Sequence, residues 1–277
     1  MGSFAYADDI VLLSPTVNAV TSQLAVCEQY SAEFNIKFNT TKSKLIVFNK
    51  MSVNIPISFQ GELIPIVTDE KHVGHRVGSC SSVKQCIIQD AVNSLYSRFN
   101  LLIRQFGRID SYTLYYLFNT YCMSLYGSQL FDFASSRIME PLYIAWRKCV
   151  RKILRVPYNT HRSLLPLICN DDSITVKLHR RFIKFVSQCS KSHNNTVQLC
   201  IKLVSAGSQS VVSESWNHIA SMYGINRFEM GRVSNTACTI QMDEDNILIA
   251  TEIRELIKNR ENGAHHVQET INNLCTA

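Results

Sequence analysis

Short apolar runs broken by polar turns fill the first 80 residues, apart from one amphipathic stretch, and helical spacing takes over from Ser81 onward. Phe4-Ala5-Tyr6 and Ile10-Val11-Leu12-Leu13 flank Ala7-Asp8-Asp9, which predicts a β-hairpin with both carboxylates at its tip. Ser14-Pro15 then reads as a helix start, with Ser14 as N-cap. Val17, Val20, Leu24, Cys27 and Phe34 recur at helical spacing, giving an amphipathic helix over residues 15–34. Leu45-Ile46-Val47-Phe48 reads as a strand, and the runs around Gln60-Gly61-Glu62 read as a second hairpin. Long helical patterns cover 83–106 and 111–126, with Asp110 as N-cap of the second. Its aromatics Tyr112, Tyr115, Tyr116, Phe118 and Tyr121 are expected in the core. Asp171-Asp172 is read as the cap of a later helix, and Gly231 to Thr239 as a loop. The pattern is that of an α+β protein, strand-rich at the front and helical behind.

Two helical stretches carry cations on one face. Arg147, Lys148, Arg151, Lys152 and Arg155 oppose Leu142, Trp146, Val150 and Ile153 on a helix expected to stop at Pro157. Lys177, Arg180, Arg181 and Lys184 repeat the stripe at i, i+3, i+4 and i+7. One such stripe is ordinarily a solvated face; two favour a polyanionic partner. Composition leans the same way, with 28 Lys and Arg against 22 Asp and Glu, a formal net charge of +6.

The remaining composition mainly excludes. At 277 residues and 46% hydrophobic, the chain can bury a sizeable core in one or two domains. Its ten cysteines include no Cys-x-x-Cys pair, so reduced thiols in an intracellular protein, nuclear or cytoplasmic, are expected. His265-His266 with Cys238 and Cys275 lacks zinc-knuckle spacing, and His72 with His75 lacks a companion ligand. No apolar run has the length of a membrane span and no secretory signal is visible, so neither a membrane nor secretion is expected.

The candidate chemistry lies in the first hairpin. Adjacent carboxylates facing solvent repel each other unless a cation lies between them, and Mg²⁺ commonly takes one or two carboxylates plus substrate phosphates. A polar turn is the alternative for Asp-Asp alone. Tyr6-Ala7-Asp8-Asp9, however, resembles the Tyr-x-Asp-Asp box of reverse transcriptases, in the form common in non-LTR retrotransposons. The stretch from Asn35-Ile36-Lys37-Phe38-Asn39 through Thr40-Thr41-Lys42-Ser43-Lys44 resembles the next palm motif of that family, and His72-Val73-Gly74 stands where its Tyr-Leu-Gly primer grip would be. Trp146-Arg147-Lys148 with Leu154-Arg155-Val156-Pro157-Tyr158-Asn159-Thr160-His161-Arg162 resembles the segment after the polymerase domain.

The resemblance, over roughly residues 4–190, implies a partial polymerase palm over 1–80, a helical thumb with basic helices over 81–190, and a helical extension over 191–277. It implies Asp8 and Asp9 as catalytic ligands of Mg²⁺, with Tyr6, Lys42 and Lys44 near the incoming deoxynucleoside triphosphate. His72, Val73 and Gly74 would grip the primer. The two basic stripes would bind the RNA template and DNA primer. Two-metal transfer also needs a further shared carboxylate. That acid and the fingers have no place before Phe4, so the chain is expected to be a fragment, silent alone, and a partner of the missing N-terminal half. Two alternatives remain: a non-catalytic nucleic-acid-binding helical module, or a decayed transposon remnant.

Overall fold

The computed structural model describes residues 2–48, 56–79, 82–226, 244–262 and 267–276. The loop expected over Gly231 to Thr239, Cys238 and the His265-His266 pair lie outside them. The fold is α+β and divides into two compact units, Met1–Val83 and Lys84–Ala277.

In the first unit, β1 (Gly2–Tyr6) and β2 (Asp9–Leu13) form the expected antiparallel hairpin, closed by Tyr6 opposite Asp9. Helix α1 spans Val17–Phe34. Its cap is Thr16, whose hydroxyl accepts from the Ala19 amide, and not Ser14, which instead bonds Gln23. Extended backbone at Thr16 places its oxygen over the exposed amides of the first turn, so the helix begins two residues later than Pro15 suggests. β4 (Ser58–Phe59) and β5 (Glu62–Leu63) make the second hairpin around Gln60-Gly61, both at positive φ. A third, β7 (Asp69–His72) with β8 (His75–Gly78), turns at Val73-Gly74. One pairing is not a hairpin: β3 (Leu45–Ile46) and β6 (Ile66–Val67) run parallel, with β4 and β5 between them in sequence. Leu24, Ile57 and Phe59 form the small core, flanked by Leu12, Val17, Val20, Phe38 and Leu45.

The second unit is helical and has one extensive core. Helix α2 covers Val83–Phe106; α3 (Ser111–Leu117) is capped by Asp110, whose carboxylate accepts from the Thr113 amide at 2.8 Å. A π-helical turn at Phe118–Cys122 continues it. The aromatic set is split between faces, because neighbouring helical positions point in different directions: Tyr115 and Phe118 are buried, whereas Tyr116 and Tyr121 face solvent. Helix α4 (Ser136–Leu154) is followed by α5 (Leu164–Cys169) and α6 (Ile174–Ser190). The N-cap of α6 is Ser173, not the Asp171-Asp172 pair, which is occupied by ion pairs. α7 (Asn195–Ser205), α8 (Val211–Met222), α9 (Glu244–Glu261) and α10 (Gln268–Thr276) complete the unit. Ile219, Ile253, Ile257 and Ile271 belong to the same core as Leu95, Trp146 and Phe182, so the helices beyond Lys191 share the hydrophobic interior of those before it. Burial pushes the Cys122 thiol up to about 11 and Cys149 and Cys169 to about 12, making them protonated core residues. No described helix is long and apolar enough to cross a membrane.

Candidate nucleic-acid interface

Helix α4 forms where Met139, Leu142, Ala145, Trp146, Cys149, Val150, Ile153 and Leu154 line one face, and all are buried. The opposite face carries the cations. The helix stops at Leu154 because Arg155 takes a left-handed conformation at φ 54° and caps it, its amide donating to the Arg151 carbonyl. Pro157, two residues past this cap, prevents helical continuation. The rotation also removes Arg155 from the stripe: its guanidinium lies 3.4 Å from the Gly107 carbonyl.

Beyond the cap, Pro157-Tyr158-Asn159-Thr160 forms a tight turn, the Thr160 amide donating to the Pro157 carbonyl at 3.2 Å. Thr160 is fully buried, and its hydroxyl donates to the same carbonyl at 2.7 Å. Arg151 donates twice to the Thr160 carbonyl, from Nε at 3.3 Å and Nη2 at 2.6 Å. Burial, with Arg147 beside it, lowers the Arg151 pKa, and the guanidinium stays charged. Arg151 thus ties the turn to the helix.

Helix and turn enclose a groove of about 650 Å³. Arg147, Lys148, Arg151, Lys152 and Arg162 supply its charge, Ile144 and Val156 its apolar part, and Tyr158, Asn159, Thr160 and His161 the remaining wall. No carboxylate lines it among the described residues. Glu140, two turns earlier, pairs with Arg147. Lys152 lies over the Phe99 ring, 5.8 Å from its centroid. Among the described residues Lys148, Lys152 and Arg162 form no ion pair, so three cations remain for an anion. The sequence reading named four of these five cations and missed Tyr158, Asn159, His161 and Arg162 as site residues. A Pro-x-Asn turn directly after a basic helix was the available signal.

The second stripe divides differently. Lys177 pairs with Asp171 and donates to Asn119 Oδ1 at 2.9 Å, while Tyr115 and Asn119 donate to the same carboxylate at 3.0 and 3.1 Å. Burial pushes the Asp171 carboxyl up, but the Lys177 hydrogen bond and charge outweigh it and hold the group below the usual range. Arg180 pairs with Asp172. Arg181 and Lys184 face solvent. Lys177 and Asp171 therefore fasten the start of α6 to Tyr115 of α3 and to Asn119, while Arg180 closes back onto Asp172, just before its own helix.

In the first unit Asp8 occupies the hairpin tip after Ala7, held at φ 53°, and Asp9 begins β2. Tyr6, Asp8 and Asp9 are all exposed. Two exposed, adjacent carboxylates fit part of a Mg²⁺ shell. Among the described residues no third His, Cys, Asp or Glu joins them in a metal-binding group. Lys42 lies in a turn organised by Asn39, whose side-chain oxygen accepts from the Lys42 amide at 3.1 Å and the Thr41 hydroxyl at 2.7 Å. Lys44 reaches the Thr41 carbonyl at 3.3 Å. His72, Val73 and Gly74 make the β7–β8 turn, with Val73 at φ 47° and Gly74 at φ 76°. The hairpin itself accounts for the glycine. A β-branched residue in this region is strained by roughly 1–3 kcal/mol.

Compared with protein-family models, with curated proteins and with solved structures, the chain matches none.

Proposed function

We propose that this chain is part of an RNA-directed DNA polymerase of the non-LTR retrotransposon kind, whose helical unit holds nucleic acid. The observation that supports the reading most is the carboxylate-free groove between α4 and the Pro157–Thr160 turn, where Lys148, Lys152 and Arg162 face solvent without ion-pair partners among the described residues. Cations held this way, on a face whose reverse is fixed in the core, suit successive phosphates of a template-primer. The hairpin bearing Tyr6-Ala7-Asp8-Asp9 supports the polymerase half. There Asp8 and Asp9 would hold Mg²⁺, while Lys42 and Lys44 would offer charge to a deoxynucleoside triphosphate. Mg²⁺, when bound, supplies polarisation of the primer hydroxyl and charge neutralisation at the leaving pyrophosphate.

Binding is tested by titrating a labelled RNA–DNA template-primer against the full chain at several salt concentrations. Three phosphate contacts give a log–log slope of roughly −2 to −3. Lys148→Gln, Lys152→Gln and Arg162→Gln together are expected to flatten it by about 2. A slope unmoved by the triple variant removes the groove as the binding face.

A second reading, a binding module without catalysis, is favoured by one observation: the groove lies wholly within the Lys84–Ala277 unit, which has its own core. Mg²⁺-dependent primer extension separates the two. Extension abolished by Asp8→Asn with Asp9→Asn supports the polymerase. Binding without extension, indifferent to both substitutions, supports the module.

A further inference from the structure

Resting on the reading that the helical unit binds nucleic acid, we infer that the groove takes an unpaired segment of the strand, with one base stacked on Tyr158 and the flanking phosphates on Lys148, Lys152 and Arg162. Three observations converge on it.

Tyr158 is 89% exposed, the highest exposure of any large hydrophobic side chain among the described residues. A singly exposed aromatic is common on protein surfaces and by itself means little. This one stands on a turn whose backbone is held from three sides: the Thr160 amide and hydroxyl both donate to the Pro157 carbonyl, and Arg151 donates twice to the Thr160 carbonyl. The His161 amide also donates to the Cys275 carbonyl at 3.4 Å. The ring is thus presented on a fixed support, so a base that stacks there orders little additional chain.

The groove's chemistry selects between paired and unpaired strands. A duplex offers protein its phosphates and groove edges, while its base faces are closed inside the stack. An aromatic beside cations, with Ile144 and Val156 adding apolar surface, is matched instead by a splayed nucleotide offering a π-face and a phosphate together. Size agrees: about 650 Å³ is on the scale of a small-ligand site and is confined to one end of α4, whereas a duplex tracks an extended face.

The test uses the full chain with a fluorescein-labelled 12-nucleotide oligouridylate and a blunt 12-base-pair RNA duplex, read by anisotropy. Tyr158→Ala is expected to weaken the single strand by roughly tenfold or more and the duplex by less than about twofold. Tyr158→Phe is expected to keep near-native affinity, since the ring and not the hydroxyl stacks. Tyr158→Trp adds a direct readout: its emission should be quenched by oligouridylate, which a purely electrostatic groove would not do. Because the side chain is exposed, these variants are expected to keep the native melting temperature. Equal single-strand affinity in Tyr158→Ala, together with loss in the Lys148, Lys152 and Arg162 triple variant, overturns the stacking site and leaves nucleic-acid binding standing. Equal weakening of both probes by Tyr158→Ala also overturns it. No binding of either probe to the native chain overturns the underlying reading, and the inference with it.

Discussion

His179 shows how one buried residue sets the acid sensitivity of the helical unit. It is 1% exposed, its ring edge-on to Phe133 and to Tyr223, and Nδ1 lies 3.0 Å from the Tyr223 hydroxyl. Burial, and secondarily His218, lowers its pKa from 6.5 to about 4. Between these values the unfolded chain holds the extra proton, so stability rises with pH across the window. The contribution is complete above about pH 6.5 and falls progressively toward pH 4 as the unfolded chain takes up its proton, by roughly 3 kcal/mol in total. In urea melts, His179→Phe is expected to lose less stability than the native chain on going from pH 7 to pH 4.5. An equal loss in both would assign the acid sensitivity over this window to groups other than His179; Asp171, held below the usual carboxylate range, would act only at lower pH. The burial of His179 was not legible in the sequence, where the residue sits beside two arginines. It follows from the α6 face that Phe182, Ile183 and Val186 commit to the core.

At the scale of elements, α4 is where sequence and structure agree most closely. Its apolar face at Leu142, Trp146, Val150 and Ile153 was readable from spacing alone, because a period of 3.6 leaves these positions no other common side. What spacing could not give is the behaviour of the ends: the left-handed cap at Arg155, or the pairing of Lys177 and Arg180 with acids lying just before their helix. Those depend on single backbone conformations and neighbours, not on periodicity. The first unit gives the same lesson: the hairpins at Ala7-Asp8 and Gln60-Gly61 follow from their turn residues, whereas the third, at Val73-Gly74, is not among the hairpins the sequence predicts and the parallel β3–β6 pair has no local signal. Trp146 is the anchor of α4, 2% exposed, with an indole N–H that finds no partner among the described residues. Trp146→Ala is expected to cost about 3–5 kcal/mol in denaturant melts. Trp146→Phe should cost much less, because it keeps most of the volume and removes an unpartnered donor worth about 1–3 kcal/mol. Equal costs would show that indole volume, not the ring as such, governs the site.

At the scale of the whole chain, the two units differ in how firmly they are built. The Lys84–Ala277 unit buries a continuous core from Ile88 to Cys275. The Met1–Val83 unit rests on Leu24, Ile57 and Phe59 and on four two-stranded pairs, which are marginal when isolated. Hydrogen exchange on the intact chain is therefore expected to show amides of β1, β2, β7 and β8 exchanging orders of magnitude faster than those in the middle of α2, α4 and α6. Comparable protection in both units would mean that the small unit gains stability from interactions beyond its own core. On the proposed reading, a stiff unit that holds nucleic acid and a soft hairpin that holds Mg²⁺ also order the expected effects of ligands. Template-primer should alter few helical amides, and Mg²⁺ with triphosphate should slow exchange chiefly at the hairpin.

The C-terminal end of α4 is closed by residues made much later. Arg260 donates to the Leu154 and Arg155 carbonyls at 2.9 and 3.2 Å, Gln268 to the Arg155 carbonyl at 3.4 Å, and Cys275 receives the His161 amide. Gln268 follows Arg155 by 113 residues, which a ribosome adding about 5–20 residues per second covers in roughly 6–23 s. Throughout that interval the residues of the basic helix are already part of the chain, while the turn that carries Tyr158 still lacks its last fastenings. The order of synthesis thus delays a finished groove until Arg260, Gln268 and Cys275 have been added, a built-in lag between acquiring the charge and acquiring the shape that directs it.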